Sequence, residues 1–203
     1  MTPVDSNIHP VFDRILQRKD KENLLKQYSV AVWMTGLSGS GKTTIAIALE
    51  QELNRLGYLT QILDGDNIRA GINSNLGFSE EDRIENIRRI AEITKLFVNC
   101  GVITINCFVS PTLDIRQQAK QIIGENDFVE VFVNTPFEIC EQRDVKGLYK
   151  KARAGEIKNF TGLDAPFEAP TSHFLDVPTV GQSVEDCAQV ILRAIIGRIS
   201  LEK

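Results

Sequence analysis

Long apolar runs are missing from this sequence. No stretch approaches the roughly 18 consecutive apolar residues of a membrane-spanning helix, and the N-terminus is too polar for a secretory leader. We therefore expect a cytoplasmic protein with no membrane partner. A basic excess is also missing, because 23 Lys and Arg residues stand against 27 Asp and Glu, a net charge of -4. This balance argues against a nucleic-acid partner.

Cysteine and histidine are scarce. The four cysteines form no C-x-x-C pair, which argues against a zinc site or a disulfide framework and favours free thiols. The two histidines, His9 and His173, have no partner at ligand spacing, so neither is a good catalytic candidate. With 203 residues, 42% of them hydrophobic, the chain has the size and apolar content of one globular domain.

A glycine-rich motif is the most informative feature that is present. Residues 36–43 read GLSGSGKT, which fits two glycines separated by four residues and followed by Lys and Thr. Glycines let the backbone bend so that its N–H groups point at phosphates. Lys42 adds a mobile positive charge. Thr43 is the predicted magnesium ligand. The predicted nucleotide contacts here are Gly36, Ser38, Gly39, Ser40, Gly41, Lys42, Thr43 and Thr44.

Strand-like apolar runs alternate with helical patterns along the chain. The runs are residues 30–34, 59–63, 102–108 and 128–133, and the glycine-rich motif lies between the first run and a predicted helix at 44–56. This order predicts an α/β fold, a single three-layer P-loop domain whose parallel sheet has helices on both faces. Ligands are expected at the carboxyl ends of the strands. Residues 146–180 are predicted to be irregular.

The first 29 residues are predicted to form a helical extension of a nucleotide-binding domain that spans 30–203. Apolar side chains lie on both sides of a polar break at Asp20. They are Phe12, Ile15, Leu16, Leu24 and Leu25. The pattern is equally compatible with docking on the domain and with docking on a second subunit.

Two carboxylates and a guanidinium follow the second strand-like run, in residues 64–69. Asp64 or Asp66 is placed to orient an attacking hydroxyl and accept its proton. A polar turn is the alternative, since Asp-Gly is a common turn pair. No Asp ends the run at 102–108, which counts against a GTPase-type switch.

A helix is predicted over residues 82–100, with Ile84, Ile87, Ala91 and Thr94 or Phe97 facing inward. Arg83 and Asn86 are three residues apart and share a face, so both could meet a phosphate or sulfate. A solvated charge face is the alternative.

Basic residues cluster between positions 143 and 158, six against two acidic ones. In a net acidic chain this cluster predicts a mobile lid over anions, at about residues 143–162, with a solvated loop as the alternative. Phe160 and Phe167 follow, and either could stack on a nucleobase or fill the core.

Six blocks, in order, resemble the adenylylsulfate kinases, and the likeness covers about residues 30–170. The blocks are GLSGSGKT (36–43), DGDNIR (64–69), LGFS (76–79), ENIRR (85–89), KGLYKKAR (146–153) and FTG (160–162). The resemblance implies ATP-dependent phosphorylation of the 3′-hydroxyl of adenosine 5′-phosphosulfate (APS), with Mg²⁺, to give 3′-phosphoadenosine 5′-phosphosulfate (PAPS) and ADP. It also implies a homodimer and functional coupling to an ATP sulfurylase.

The resemblance assigns roles to particular positions. It makes Lys42, Asp64, Ser110 and Lys146 the catalytic candidates, with Asp64 the first choice for the base, and adds Arg143 and Thr179 as nucleotide contacts. Phe78 and Phe160 are expected to hold the adenine of APS between them. The implied substrate contacts are Asp66, Asn67, Arg69, Phe78, Arg83, Asn86, Val109, Ser110, Lys146, Gly147, Leu148, Asn159 and Phe160.

Two other functions stay open at this stage. One is a P-loop kinase for another small hydroxyl acceptor. The other is a non-catalytic nucleotide-binding regulatory module, which predicts a degraded phosphate loop, whereas Lys42 and Thr43 are intact here. For Ser110, a phosphoryl-carrying role would need a neighbouring His or carboxylate to activate the hydroxyl, and none is adjacent in the sequence.

Overall fold

A parallel five-stranded sheet forms the centre of the computed structural model, which describes residues 9–201. The strand order is β2-β3-β1-β4-β5, and all four pairings are parallel. The strands are β1 (Ala31–Thr35), β2 (Thr60–Asp64), β3 (Ile103–Cys107), β4 (Phe128–Asn134) and β5 (Phe174–Pro178). The predicted α/β fold is confirmed.

Helices precede the first strand, connect the strands and follow the last one. They are α1 (Arg18–Leu25), α2 (Lys42–Arg55), α3 (Gly65–Ala70), α4 (Glu80–Asn99), α5 (Leu113–Ile123), α6 (Phe137–Arg143), α7 (Leu148–Arg153) and α8 (Val184–Ile199). Ser79, Thr112 and Ser183 cap α4, α5 and α8, each accepting a hydrogen bond from a backbone N–H three residues on. Within residues 9–201 no helix is long and apolar enough to cross a membrane.

Both faces of the sheet are covered by apolar packing. On one face, Val32 of β1 belongs to a cluster with residues of α2 and α8, such as Leu49 and Ile191. On the other, Trp33 belongs to a cluster with residues of α4 and α5. All five residues of β1 are buried, as expected for a central parallel strand.

Three predictions about local structure are wrong. Residues 146–180 are not irregular throughout, because they contain α7 and β5. Only one residue of β5 is buried, so the apolar pattern is weak and its pairing with β4 defines the strand. The polar turn considered for residues 65–70 is not present, because they form α3, which Asp64 caps. Ile84 does not face inward but is 38% exposed.

The N-terminal segment is anchored to the rest of the molecule. The buried Gln27 side chain donates to the carbonyls of Leu59 and Gly101 and accepts from the Leu59 N–H. The Glu22 carboxylate, also buried, accepts from Ser29 and pairs with Arg18. Helix α1 therefore docks on the domain, whereas Leu16 and Leu24 are 70% and 81% exposed. Residues 1–8 of the predicted extension lie outside the described residues.

Candidate active site

The glycine-rich loop joins β1 to α2 at the carboxyl edge of the sheet. Gly36 and Gly39 have φ values of 150° and 77°, and a Cβ at either would lie within 3 Å of a backbone carbonyl, of Val133 and Cys140 respectively. Only glycine fits at both places. Gly41 precedes α2, whose free N–H groups and positive dipole end therefore face the crevice, as an anion site requires.

Lys42 is buried at the start of α2. Its ammonium donates to the carbonyls of Gly36 at 2.9 Å and Leu37 at 2.8 Å. Burial lowers its pKa to about 8. Negative phosphates at this place would favour the charged form again.

Thr43 and Asp64 meet beneath the crevice. The Thr43 hydroxyl donates to Asp64 Oδ2 at 2.7 Å, and Asp64 Oδ1 accepts from the Asp66 N–H at 3.0 Å. A hydroxyl and a carboxylate are the oxygen donors that Mg²⁺ prefers, so this pair fits the metal. The contact between Thr43 and Asp64 could not be predicted from the sequence, because the two residues are 21 positions apart and only the fold brings them together.

The other predicted nucleotide contacts lie within the loop, behind it or beside it. Ser40 is buried, and its carbonyl accepts from Thr135 Oγ1 at 2.8 Å. Thr135 in turn lies 2.6 Å from the hydroxyl of Thr179, which puts Thr179 behind the loop. Thr44 is exposed on the first turn of α2. Arg143, on α6, donates to the carbonyls of Gly39 and Ser40 at 3.3 Å.

Two arginines gather around Phe78 on the α3–α4 side of the crevice. The Arg69 guanidinium stacks 4.4 Å from the centre of the exposed Phe78 ring, and Arg83 Nε donates to the Phe78 carbonyl at 3.1 Å. Arg83 also donates to Thr161 Oγ1 at 2.6 Å and to the Asn159 carbonyl. Burial lowers the pKa of both arginines, and Arg83 lowers that of Arg69 further.

The remaining α3–α4 candidates differ in exposure. Asn86 is buried and accepts from Asn73 Nδ2 at 2.9 Å, so its amide is engaged inside the domain. Asn67 and Asp66 are exposed on α3. Arg83 and Asn86 have different hydrogen-bond partners in the structure, and their joint contact with one anion stays a prediction.

Ser110 lies in the loop after β3 with its hydroxyl directed inside. The residue is 2% exposed and has a φ of 37°. Its Oγ accepts from Trp33 Nε1 and donates to Thr35 Oγ1, both at 3.2 Å, and Thr35 donates to the Val109 carbonyl at 2.7 Å. The structure thus brings Val109 and Ser110 to the end of β3 but does not present the Ser110 hydroxyl to the crevice.

The predicted lid connects the two sides of the crevice. Lys146 pairs with the Asp66 carboxylate. Asp144 accepts from the N–H groups of Tyr149 and Lys150, which fixes the start of α7 at Leu148, just after Gly147. The half-buried Phe160 ring meets the Tyr149 ring edge-on, with 4.9 Å between ring centres.

Arg116 is a residue of this region that sequence reasoning missed. It is 2% exposed, and its guanidinium donates to the carbonyls of Ser110 and Glu168, both at 2.7 Å. Its Nε lies 2.8 Å from Glu130 Oε1. Burial lowers the pKa of Arg116 and raises that of Glu130. An arginine within an ordinary helical pattern gives no sequence signal for such a role.

Two hollows flank the phosphate loop. The larger, of about 490 Å³, is lined by Leu37, Phe137 and residues 162–167 and has no basic side chain, so it does not suit a phosphate. The smaller, of about 50 Å³, lies between Ser38 and Gly39 of the loop and Asp144, Lys146 and Tyr149 of the lid.

The fold and the site together define a P-loop kinase. The glycine-rich loop, the Thr43–Asp64 oxygen pair and the arginines around Phe78 share one edge of the sheet. The sequence profile of the adenylylsulphate kinase family matches residues 28–178, and the chain belongs to this family. The resemblance found in the sequence is thereby confirmed.

Individual relatives agree with the family assignment. An adenylyl-sulfate kinase of Bacteroides fragilis is 61% identical over 97% of both chains. The structure of the Mycobacterium tuberculosis APS kinase in complex with AMPPNP and APS is 42% identical, with a TM-score of 0.80 over 83% of this chain and 98% of that one. A hexameric APS kinase from Thiobacillus denitrificans is 27% identical, with a TM-score of 0.66 over 88% of this chain and 30% of that one.

Proposed function

We propose that this protein transfers the γ-phosphoryl group of ATP to the 3′-hydroxyl of APS, giving PAPS and ADP. The observation that carries the proposal is the 2.7 Å hydrogen bond between Thr43 of the phosphate loop and Asp64 at the end of β2. It joins the nucleotide side of the crevice to the acidic segment that faces an acceptor. Family membership indicates which acceptor this is.

The nucleotide is held by the loop and its lysine. Backbone N–H groups of residues 36–41 and the start of α2 surround the phosphates, and the Lys42 ammonium moves from two loop carbonyls to the outer phosphates. Thr43, hydrogen-bonded to Asp64, would hold Mg²⁺, which offsets charge on the β- and γ-phosphates when bound. Arg143 and Thr179 support the loop from the α6 and β5 sides.

The acceptor is held on the α3–α4 side. Arg69 and Arg83 supply positive charge for the phosphosulfate, and Phe78 and Phe160 supply flat apolar surfaces for the adenine. Asp64 orients the 3′-hydroxyl and accepts its proton as the phosphoryl group arrives. Lys146, paired with Asp66, closes over the transferring group, so catalysis is mainly positioning and electrostatic stabilisation.

In this proposal Ser110 has a structural role and does not carry a phosphoryl group. Its hydroxyl is shared with Trp33 and Thr35, and no acidic or basic side chain of residues 9–201 is hydrogen-bonded to it. Direct in-line transfer needs no covalent intermediate.

An acceptor panel tests the proposal. ADP release is measured with ATP and Mg²⁺ in the presence of APS, AMP, shikimate, gluconate or no acceptor, and Lys42→Ala is the control. Turnover with APS alone, lost in the variant, is expected. Turnover with a different hydroxyl acceptor would indicate another small-molecule kinase, whereas saturable APS binding without turnover would indicate a regulatory module.

Assembly and location form a second part of the proposal. The exposed apolar side chains Phe12, Leu16 and Leu24 lie on one N-terminal segment, and burying them against a second copy of the chain would form a homodimer. The acceptor APS must come from adenylyl transfer onto sulfate, so functional coupling to an ATP sulfurylase follows from the chemistry. The four free cysteines and the use of ATP favour the cytoplasm.

A further inference from the structure

Tyr149 is the residue at which the phosphate loop, the lid and the Phe160 ring meet. It is 1% exposed, although it belongs to a basic lid segment. Its hydroxyl donates to the Ser38 carbonyl at 2.9 Å. Its ring meets those of Phe160 and Phe137 edge-on, at 4.9 and 5.8 Å between centres.

We propose that Tyr149 is a positioning residue that couples nucleotide binding at the phosphate loop to acceptor binding at Phe160. The inference rests on the proposed function, because it assigns Phe160 to the acceptor adenine. Tyr149 itself contacts neither substrate in this proposal. It acts through Ser38 on one side and through the Phe160 ring on the other.

The coupling depends on which groups a bound nucleotide fixes in place. Ser38 is inside the loop whose N–H groups surround the phosphates, so a bound nucleotide fixes the direction of its carbonyl. The Tyr149 hydroxyl follows that carbonyl, and the Tyr149 N–H is held by Asp144 at 3.0 Å. The tyrosine ring then has one orientation, and Phe160, which packs edge-on against it, takes the position that an adenine needs.

The hydroxyl and the ring can be tested separately. Tyr149→Phe removes the bond to Ser38 and keeps the packing against Phe160 and Phe137. Tyr58→Phe is the matched control, because its hydroxyl also makes one hydrogen bond, to Ser200 Oγ at 2.9 Å, and Tyr58 precedes β2, at the opposite end of that strand from Asp64. Neither change removes a group that contacts substrate.

Calorimetric titration measures the coupling. The Kd of APS is determined without nucleotide and with saturating AMPPNP, and the ratio of the two values is the coupling factor. We expect AMPPNP to tighten APS binding in the wild type and in Tyr58→Phe. In Tyr149→Phe the coupling factor should fall on the order of fivefold, while the Kd of AMPPNP alone is unchanged.

Three calorimetric results would overturn the inference. One is a coupling factor in Tyr149→Phe within about twofold of the wild type, a difference below ~0.4 kcal/mol. Another is a wild type whose APS affinity is the same with and without AMPPNP. The third is a wild type that binds no APS, which would also overturn the proposed function; the first two results leave that function intact.

Hydrogen exchange on the wild type needs no variant. AMPPNP alone is expected to slow exchange at the backbone amides of residues 149–160, because the loop fixes Tyr149 before the acceptor arrives. Slowed exchange confined to residues 36–44 would overturn the inference.

Discussion

At the scale of single residues, two lysines of the site differ in environment. Lys42 is buried among loop carbonyls, whereas Lys146 is exposed and paired with Asp66. The burial of Lys42 predicts an effect on stability, and the exposed position of Lys146 beside Asp66 predicts an effect on turnover.

Lys42→Met is expected to change the pH dependence of stability in the ligand-free protein. Burial lowers the pKa of Lys42 from 10.5 to about 8, so between these values the unfolded chain binds the proton and the folded one does not. The free energy of unfolding of the wild type, relative to Lys42→Met, should therefore rise by about 3 kcal/mol from pH 8 to pH 10.5. Urea unfolding of both proteins across this range measures it. A pH-independent difference would contradict the assignment.

Lys146→Ala is expected to lower kcat/KM for APS by at least about tenfold, since the ammonium stabilises charge on the transferring group. Lys151→Ala is the control: it removes another lid lysine, on α7, away from the Lys146–Asp66 pair. Steady-state kinetics at saturating ATP gives both values. An effect of Lys146→Ala within about twofold would remove Lys146 from the mechanism.

At the scale of elements, the phosphate loop depends on the close approach of its own backbone to that of α6. Gly39→Ala would place a Cβ 2.9 Å from the Cys140 carbonyl at a φ of 77°. Gly57→Ala is a matched control, since Gly57 also has a positive φ but nothing lies within 4 Å of its Cβ position. We expect Gly39→Ala to cost about 1 to 3 kcal/mol more stability than the control and to weaken ADP binding. Equal losses of stability and unchanged ADP affinity would contradict this.

The buried Arg116 joins α5 to β4 and to the loop after β3. Arg116→Met leaves the Glu130 carboxylate without its cation, which should cost about 3 to 5 kcal/mol in the free energy of unfolding. Adding Glu130→Leu should restore part of this loss, because no carboxylate then lacks its cation, whereas the Ser110 and Glu168 carbonyls still lack their donor. Denaturant unfolding of the single and double variants measures both effects. A double variant as unstable as Arg116→Met would contradict the interpretation.

Much of this element structure could be predicted from the sequence. The glycine-rich motif and the buried apolar runs mark β1, β3, β4 and α2, because local backbone chemistry and burial on both faces dictate them. Strand β5 could not be found, since it is an edge strand with one buried residue. The roles of Tyr149 and Arg116 could not be predicted either. They depend on contacts with Ser38, Phe160 and Ser110 that the fold brings together.

At the scale of the whole molecule, the strand order explains where the site lies. Connections from β1 lead to β2 on one side of the sheet, and those from β4 lead to β5 on the other. These connections diverge between β1 and β4, and the phosphate loop begins there, where Gly36 approaches the Val133 carbonyl of β4. The donor and acceptor groups therefore meet at one edge although they are far apart in sequence.

The exposed N-terminal segment predicts the state of assembly. Size-exclusion chromatography with light scattering should give twice the monomer mass for the wild type. Leu16→Ser with Leu24→Ser should shift the protein toward the monomer, because both side chains are solvent-exposed in a single chain. A control pair, Ile47→Ser with Val190→Ser, replaces exposed apolar residues elsewhere and should leave the mass unchanged. A wild-type monomer would contradict the dimer.

The most direct test of the central claim is the identity of the product formed from APS. Mass spectrometry and phosphorus NMR of the reaction with ATP and Mg²⁺ locate the added group. We predict one phosphoryl group on the 3′-hydroxyl, formed in equal amount to ADP and absent with Lys42→Ala. ADP formed without phosphorylated APS, or a phosphoryl group on any other atom, would contradict the account.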